Sequence, residues 1–141
     1  MELKFSKHID VRFSELDPMG VVWHGDYTLY FEDAREAFGK EYGLGYMTFF
    51  DNGFTAPLVE LSMQYKKIIK YETPLRVDII YRPTESAKIV FDYEIHDERD
   101  DSLIATAHSV QVFLDQDYQL VWENPEFYLE WKKRWNVFEE Q

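Results

Sequence analysis

The stretch DYTLYFEDAREAFGKE, residues 26–41, decides the architecture. Tyr27, Tyr30, Phe31, Ala34, Ala37 and Phe38 recur at i, i+3, i+4, i+7, i+10 and i+11, which puts one wide apolar stripe on a helix. Glu32, Asp33, Arg35 and Glu36 take the other side. Gly25 and Asp26 stand at the start, where a small residue or a carboxylate suits unpaired amides, and Gly39 or Gly43 can end the helix. So apolar a stripe must be buried against another layer.

The flanking sequence supplies that layer. Upstream, Leu3, Phe5, Ile9, Val11 and Phe13 alternate with polar residues around a one-residue slip near Lys7, predicting a strand over 3–13 with a bulge. The link SELDPMGVVWHGD carries Pro18, Gly20 and Gly25 around the apolar island Val21, Val22 and Trp23, which reads as a short, tight, partly buried loop. Downstream, residues 42–57 mix glycines with Tyr46, Met47, Phe49, Phe50 and Phe54 and suit a loop or short helix covering a pocket. From Leu58 the period returns to two: Leu61, Met63 and Tyr65, then Leu75, Val77 and Ile79, then Ile89, Phe91, Tyr93 and Ile95, then Ile104 to Leu114. Turns fall at Arg82–Glu85 and Asp97–Ser102. Asn124-Pro125-Glu126 then opens a docking helix with Phe127, Trp131, Trp135 and Phe138 on one face. The predicted fold class is α+β: an antiparallel sheet wrapped around a central helix at 26–41, with a C-terminal helix, in a single domain over 1–141.

Composition narrows the chemistry. Forty-five per cent hydrophobic and 18% aromatic residues fill one sizeable core. The opening MELKFSKHID has no apolar run behind its charges, and no span of about 18 apolar residues occurs, so a soluble, cytoplasmic protein without a membrane partner is expected. A net charge of -12 repels phosphate backbones and argues against nucleic acid. An anionic small ligand then needs a local basic patch, for which Lys66, Lys67, Lys70, Arg82 and Lys88 are available. With zero cysteines, chemistry falls to carboxylates and histidines.

Asp17 precedes Pro18, which biases it towards an extended backbone a few residues before the helix. On its own it is an ordinary loop acid. The first helix amides, around His24, Gly25 and Asp26, have no intrahelical partners, and such donors stabilise a carbonyl oxygen as it becomes an oxyanion. Gly25 has no Cβ to hold a ligand off the backbone. A carboxylate and a carbonyl-activating group thus come from one short segment. His24 is a second acid or base in principle, with its amide ranked above its imidazole. His24, Asp26 and Glu32 match no established metal spacing, and no metal or cofactor is called for. His8, His96 and His108 lie on strands without matching acid or serine partners in sequence.

VRFSELDPMGVVWHGDYTLYFEDAREAF, residues 11–38, resembles the opening of the 4-hydroxybenzoyl-CoA thioesterase family of hotdog enzymes, also called YbgC-like acyl-CoA thioesterases. The shared positions are Asp17, Gly20, Val21, Val22, Trp23, His24 and Tyr27, and YETPLRVDIIYRPTESAKIVFDYEIHD at 71–97 resembles the family's later strands. The resemblance implies a hotdog fold and an acyl-CoA thioesterase. Asp17 would be the catalytic carboxylate, with His24 polarising the carbonyl through its amide. Tyr27 would line the pocket beside Gly25, and Lys88 and Lys66 would meet the CoA nucleotide. It implies a site between protomers of a homodimer or homotetramer. Ser14-Glu15 and Lys66-Lys67 depart from the family pattern and bear on the nucleotide contacts. Rival readings are an acyl carrier protein substrate, a hydratase or dehydratase using the His24 ring, and a non-catalytic acyl-CoA-binding module.

Overall fold

The computed structural model describes residues 2–137, so the Phe138 expected on the C-terminal helix lies outside the described residues. Five strands, β1 (Lys4–Asp10), β2 (Leu58–Tyr65), β3 (Pro74–Arg82), β4 (Lys88–Asp97) and β5 (Ser102–Val112), form one antiparallel sheet. Their order is β1-β3-β4-β5-β2. Among the described residues three α-helices accompany the sheet: α1 (Tyr27–Tyr42), α2 (Tyr46–Asp51) and α3 (Glu126–Trp135).

The α1 stripe is the centre of the core. Tyr27, Tyr30, Phe31, Ala34 and Phe38 are buried, and the Phe38 ring meets Tyr42, Phe91 and Tyr81. Aromatic pairs of this kind contribute about 0.5–1.5 kcal/mol each beyond their area. The helix ends at Gly43, whose φ of 74° is left-handed, and Leu44 N–H closes the turn on the Gly39 carbonyl at 2.9 Å. The strands bury the residues their alternation selects: Leu75, Val77 and Ile79, then Ile89, Phe91, Tyr93 and Ile95.

Two local expectations change. β1 stops at Asp10, and Phe13–Glu15 forms a single 3-10 turn. No bulge occurs at Lys7, because Leu3, Phe5, Lys7, Ile9 and Val11 share one parity and pair with β3 in unbroken register. On α3, Pro125 is the N-cap and Glu126 the first helical residue, one place after the expected boundary, which had Asn124 as the cap. Tyr128 and Trp131 are buried on its docking face, and the Trp131 and Trp135 indoles both donate to the Tyr42 carbonyl, at 2.7 and 3.0 Å.

The two sheet edges differ. Tyr42 hydroxyl donates to the Lys4 carbonyl at 2.8 Å beside β1. β2 pairs only with β5, and its outer side is open. Among the described residues no helix is long and apolar enough to cross a membrane.

Candidate active site

The loop between β1 and α1 folds back on itself as a miniature hairpin. Asp17 N–H bonds the Val21 carbonyl at 2.8 Å, Leu16 bridges Val22, and Trp23 N–H bonds the Glu15 carbonyl at 3.0 Å. Val22 N–H reaches the Ile69 carbonyl at 2.8 Å, which ties the hairpin to the segment ahead of β3. Pro18 and Gly20 make its tip, closed by Gly20 N–H on the Asp17 carbonyl at 2.9 Å. Glu15, half-buried, accepts the Tyr30 hydroxyl and the Arg12 amide, both at 2.8 Å, and so fastens the hairpin to α1. Burial and this carboxylate together push the Tyr30 hydroxyl far above its ordinary range.

Asp17 is half-buried. Its Oδ1 accepts Met19 N–H at 2.8 Å and faces Val21 N–H at 3.5 Å. One oxygen therefore holds the side chain in place and the other, Oδ2, makes no hydrogen bond among the described residues. At the other end of the hairpin, His24–Asp26 forms a 3-10 turn leading into α1. Asp26 N–H takes the Trp23 carbonyl at 2.9 Å, so the His24 and Gly25 amides precede the first bonded amide of the turn. Three steps along the hairpin take the chain from Val21, opposite Asp17, to His24, roughly 10 Å by strand rise.

The space left by the missing Cβ of Gly25 is taken up within the chain itself. The Trp23 indole lies over this residue, and a Cβ there would come within 2.7 Å of Trp23 Cε3 and closer still to Cζ3 and Cη2. The His24 ring lies between Trp23 and Tyr65, at centroid distances of 5.0 and 6.4 Å. Tyr65 hydroxyl donates to the His24 carbonyl at 3.1 Å and so pins the turn to the end of β2. Tyr27 is in the core, its hydroxyl 3.4 Å from the Lys67 carbonyl and its ring edge-on to Tyr65. It supports the helix start from behind.

Lys66 and Lys88 are not brought together within one chain. Lys66 follows β2, whose last residue Tyr65 pairs with Ala105, whereas Lys88 opens β4 opposite Val112. Those pairings are seven steps apart along β5, about 23 Å. Both side chains are exposed.

The remaining histidines lie on the sheet with their rings against carboxylates. His8 lies between Glu98 and Asp10, His96 beside Glu94 at 2.8 Å, and His108 beside Asp92 at 2.6 Å. Tertiary structure brings His108 to Asp92 across 16 positions and His8 to Glu98 across 90, whereas Asp10 and Glu94 lie two residues from their histidines on the same strand. Carboxylates hydrogen-bonded to its ring hold the His8 imidazole above its ordinary value. Asp78, Glu94 and His96 are close enough to share an ion, yet Asp78 already accepts Ser6 hydroxyl at 2.6 Å and Arg76 Nε at 3.1 Å.

Sequence reasoning missed Tyr65, Glu15 and Arg35. Arg35 belongs to the polar side of α1 by periodicity, but its side chain is 19% exposed and turns inwards. The signal for Tyr65 and Glu15 is tertiary, since each acts through a partner on another element.

Comparison with known proteins now bears on this geometry. The model of the thioesterase-like superfamily matches residues 11–132, which takes in the hairpin, α1, the last four strands and most of α3. The chain belongs to this superfamily. YneP of Bacillus subtilis, named a candidate acyl-CoA thioesterase, is 32% identical over 90 residues, 64% of this chain and 65% of YneP, so the match spans just under two thirds of that relative. A DHNA-CoA thioesterase from Staphylococcus aureus superposes with a TM-score of 0.84 at 26% identity, covering 94% of this chain and 91% of the other. The 4-hydroxybenzoyl-CoA thioesterase of Pseudomonas sp. strain CBS-3 superposes with a TM-score of 0.77 over 91% of this chain and 98% of its own length. At 20% identity that likeness establishes the shared hotdog fold.

Proposed function

We propose that the chain is an acyl-CoA thioesterase whose hydrolytic carboxylate is Asp17, with the amides at the start of α1 holding the thioester carbonyl. The observation that carries this reading is the hairpin: it fixes Asp17 through one carboxylate oxygen, leaves the other without a hydrogen bond among the described residues, and runs within a few residues into the turn whose His24 and Gly25 amides come before the first helix bond. Those amides stabilise the oxyanion as attack proceeds, an effect worth about 10²–10³ in rate per donor. Oδ2 attacks the carbonyl carbon or removes a proton from an attacking water; the thiolate of CoA leaves in either case. Work in the cytoplasm, where this class of substrate is made, accords with the composition.

The reading includes a homodimer built by joining the open β2 edges of two copies about a two-fold axis. Support comes from β2 itself. It leaves a full row of backbone groups unpaired, and Val59, at the point where pairing with β5 skips a residue, is 60% exposed. Antiparallel pairing of two such edges sets the Pro57 end of one strand beside the Tyr65 end of the other, and thus beside the other copy's His24.

Asp17→Asn tests the chemistry. Asparagine keeps the bond from Met19 N–H but cannot take a proton or attack, so kcat on acyl-CoA should fall by about 10²–10⁴ with an unchanged unfolding midpoint. A variant of full activity removes Asp17 from the mechanism.

A further inference from the structure

A second group of polar residues lies on the concave side of the sheet, away from Asp17. A cavity of about 870 Å³ opens between the C-terminal half of α1, α2 and residues 55–57, with Ile89 and Phe91 of β4 as its floor. Its walls include Leu44, Met47 and Phe49, so it suits a largely apolar guest. Charged residues of α1, Glu32, Arg35, Glu36 and Lys40, line its other side, and of these Arg35 has the most buried side chain.

The Arg35 guanidinium is poorly matched within the chain. Nη1 donates to the Tyr93 hydroxyl at 3.3 Å, and that hydroxyl lies 2.6 Å from Ser109 Oγ. Tyr93 and Ser109 are buried, and desolvation pushes the Tyr93 hydroxyl above its ordinary range, so it stays a neutral prop. Nη2 stands 3.6 Å from Glu32 Oε1, beyond hydrogen-bonding distance, and the Glu32 side chain is mostly in water. Glu36 is engaged by Lys40 at 3.4 Å. A guanidinium held by one neutral hydroxyl and one loose ion pair to a largely solvated carboxylate keeps donors for an oxygen acceptor on a guest. Glu32, hovering beside it, already shows a carboxylate drawn to the same nitrogen.

We infer that this cavity receives the acyl group, and that Arg35 binds an oxygen acceptor at that group's far end. The inference rests on the thioesterase reading and its dimer. The cavity reaches Pro57, immediately before β2, while Tyr65 at the other end of β2 holds the His24 turn. The eight residues of β2 make these ends roughly 26 Å apart within one chain. Two-fold pairing of β2 edges closes that gap by setting one copy's cavity beside the other's helix start. Each site then takes Asp17 and its amides from one copy and Arg35 from the other. The acceptor is either a carboxylate on an aliphatic chain or a hydroxyl on an aromatic ring, and both chemistries place an oxygen where Arg35 waits.

The test compares kcat/KM on two matched pairs, adipoyl-CoA with hexanoyl-CoA and 4-hydroxybenzoyl-CoA with benzoyl-CoA, for the wild type, Arg35→Gln and Arg35→Lys. The expected result is a wild-type preference of at least about tenfold for the oxygen-bearing member of one pair. Arg35→Gln should bring that ratio near one, and Arg35→Lys should restore part of it. The pair that responds identifies the source of the oxygen. The inference is overturned if neither pair shows a preference, or if the preference survives in Arg35→Gln. Hydrolysis by the wild type that disappears in Asp17→Asn tests the thioesterase reading separately, because the ratios are taken only among substrates that turn over.

Discussion

Gly25→Ala perturbs the site by adding one methyl group, and its effect can be worked out from the indole above it. The new Cβ would lie 2.7 Å from Trp23 Cε3 and nearer to two further ring carbons. Carbon atoms in contact sit about 3.5–4.0 Å apart, so the ring must retreat by more than about 1 Å or push the turn the other way. Trp23 is 50% exposed, so its retreat costs little in packing, and the loss of global stability should stay below about 1.5 kcal/mol. The His24 and Gly25 amides share that turn and do not have the same freedom. A displacement of about 1 Å at a reacting centre costs up to about 10² in rate, so kcat/KM should fall between about 10-fold and 100-fold. Release of CoA thiol, followed with a thiol-reactive chromophore alongside urea denaturation, separates the two effects. Because the damage is assigned to a clash, Trp23→Ala in the same chain should relieve it. The double variant is expected to be at least about fivefold more active than Gly25→Ala alone. A double variant as impaired as the single one would refute the clash, and an unimpaired Gly25→Ala would remove the amides from catalysis.

Two further outcomes concern the frame. Lys132, 2% exposed, donates to the Thr84 carbonyl at 2.7 Å, to Asn124 Oδ1 at 3.0 Å and to the Ser86 carbonyl at 3.3 Å, while burial pushes its amine down to about 8. Between pH 8 and the unfolded value near 10.4, the folded amine is neutral and the unfolded one charged, so unfolding takes up a proton and stability rises with pH. Relative to Lys132→Met, the wild type should gain about 2.5 kcal/mol between pH 7 and 10 in urea denaturation, and parallel pH profiles would contradict this. Val59→Asp places a charge on the open β2 edge without touching a β5 pair, and should shift sedimentation from dimer to monomer with loss of turnover. An unchanged dimer of full activity would place the subunit contact elsewhere.

Much of the scaffold was legible because local periodicity and burial coincide. The α1 stripe at Tyr27, Tyr30, Phe31, Ala34 and Phe38 is the buried stripe, and the four later strands lie where alternation puts them. The Lys7 slip misled because an exposed lysine on the core-facing parity imitates an insertion. Asp17 and the helix start were legible for a related reason: a proline, two glycines and a change of period crowd into a short segment.

The sequence by itself determined the fold class, the central helix and the carboxylate placed ahead of it, since each depends on neighbours within a few residues. Only the tertiary structure decided which distant side chains support the helix start and the cavity wall. Tyr65 reaches the His24 carbonyl from 41 residues away, and Tyr93 supports Arg35 across 58. Arg35 looks like a solvent residue along α1 and becomes a cavity residue once α2 and β4 close over it. Periodicity reports which side of a helix is apolar. It cannot report what the rest of the chain brings against the polar side, because that depends on contacts between segments far apart in sequence.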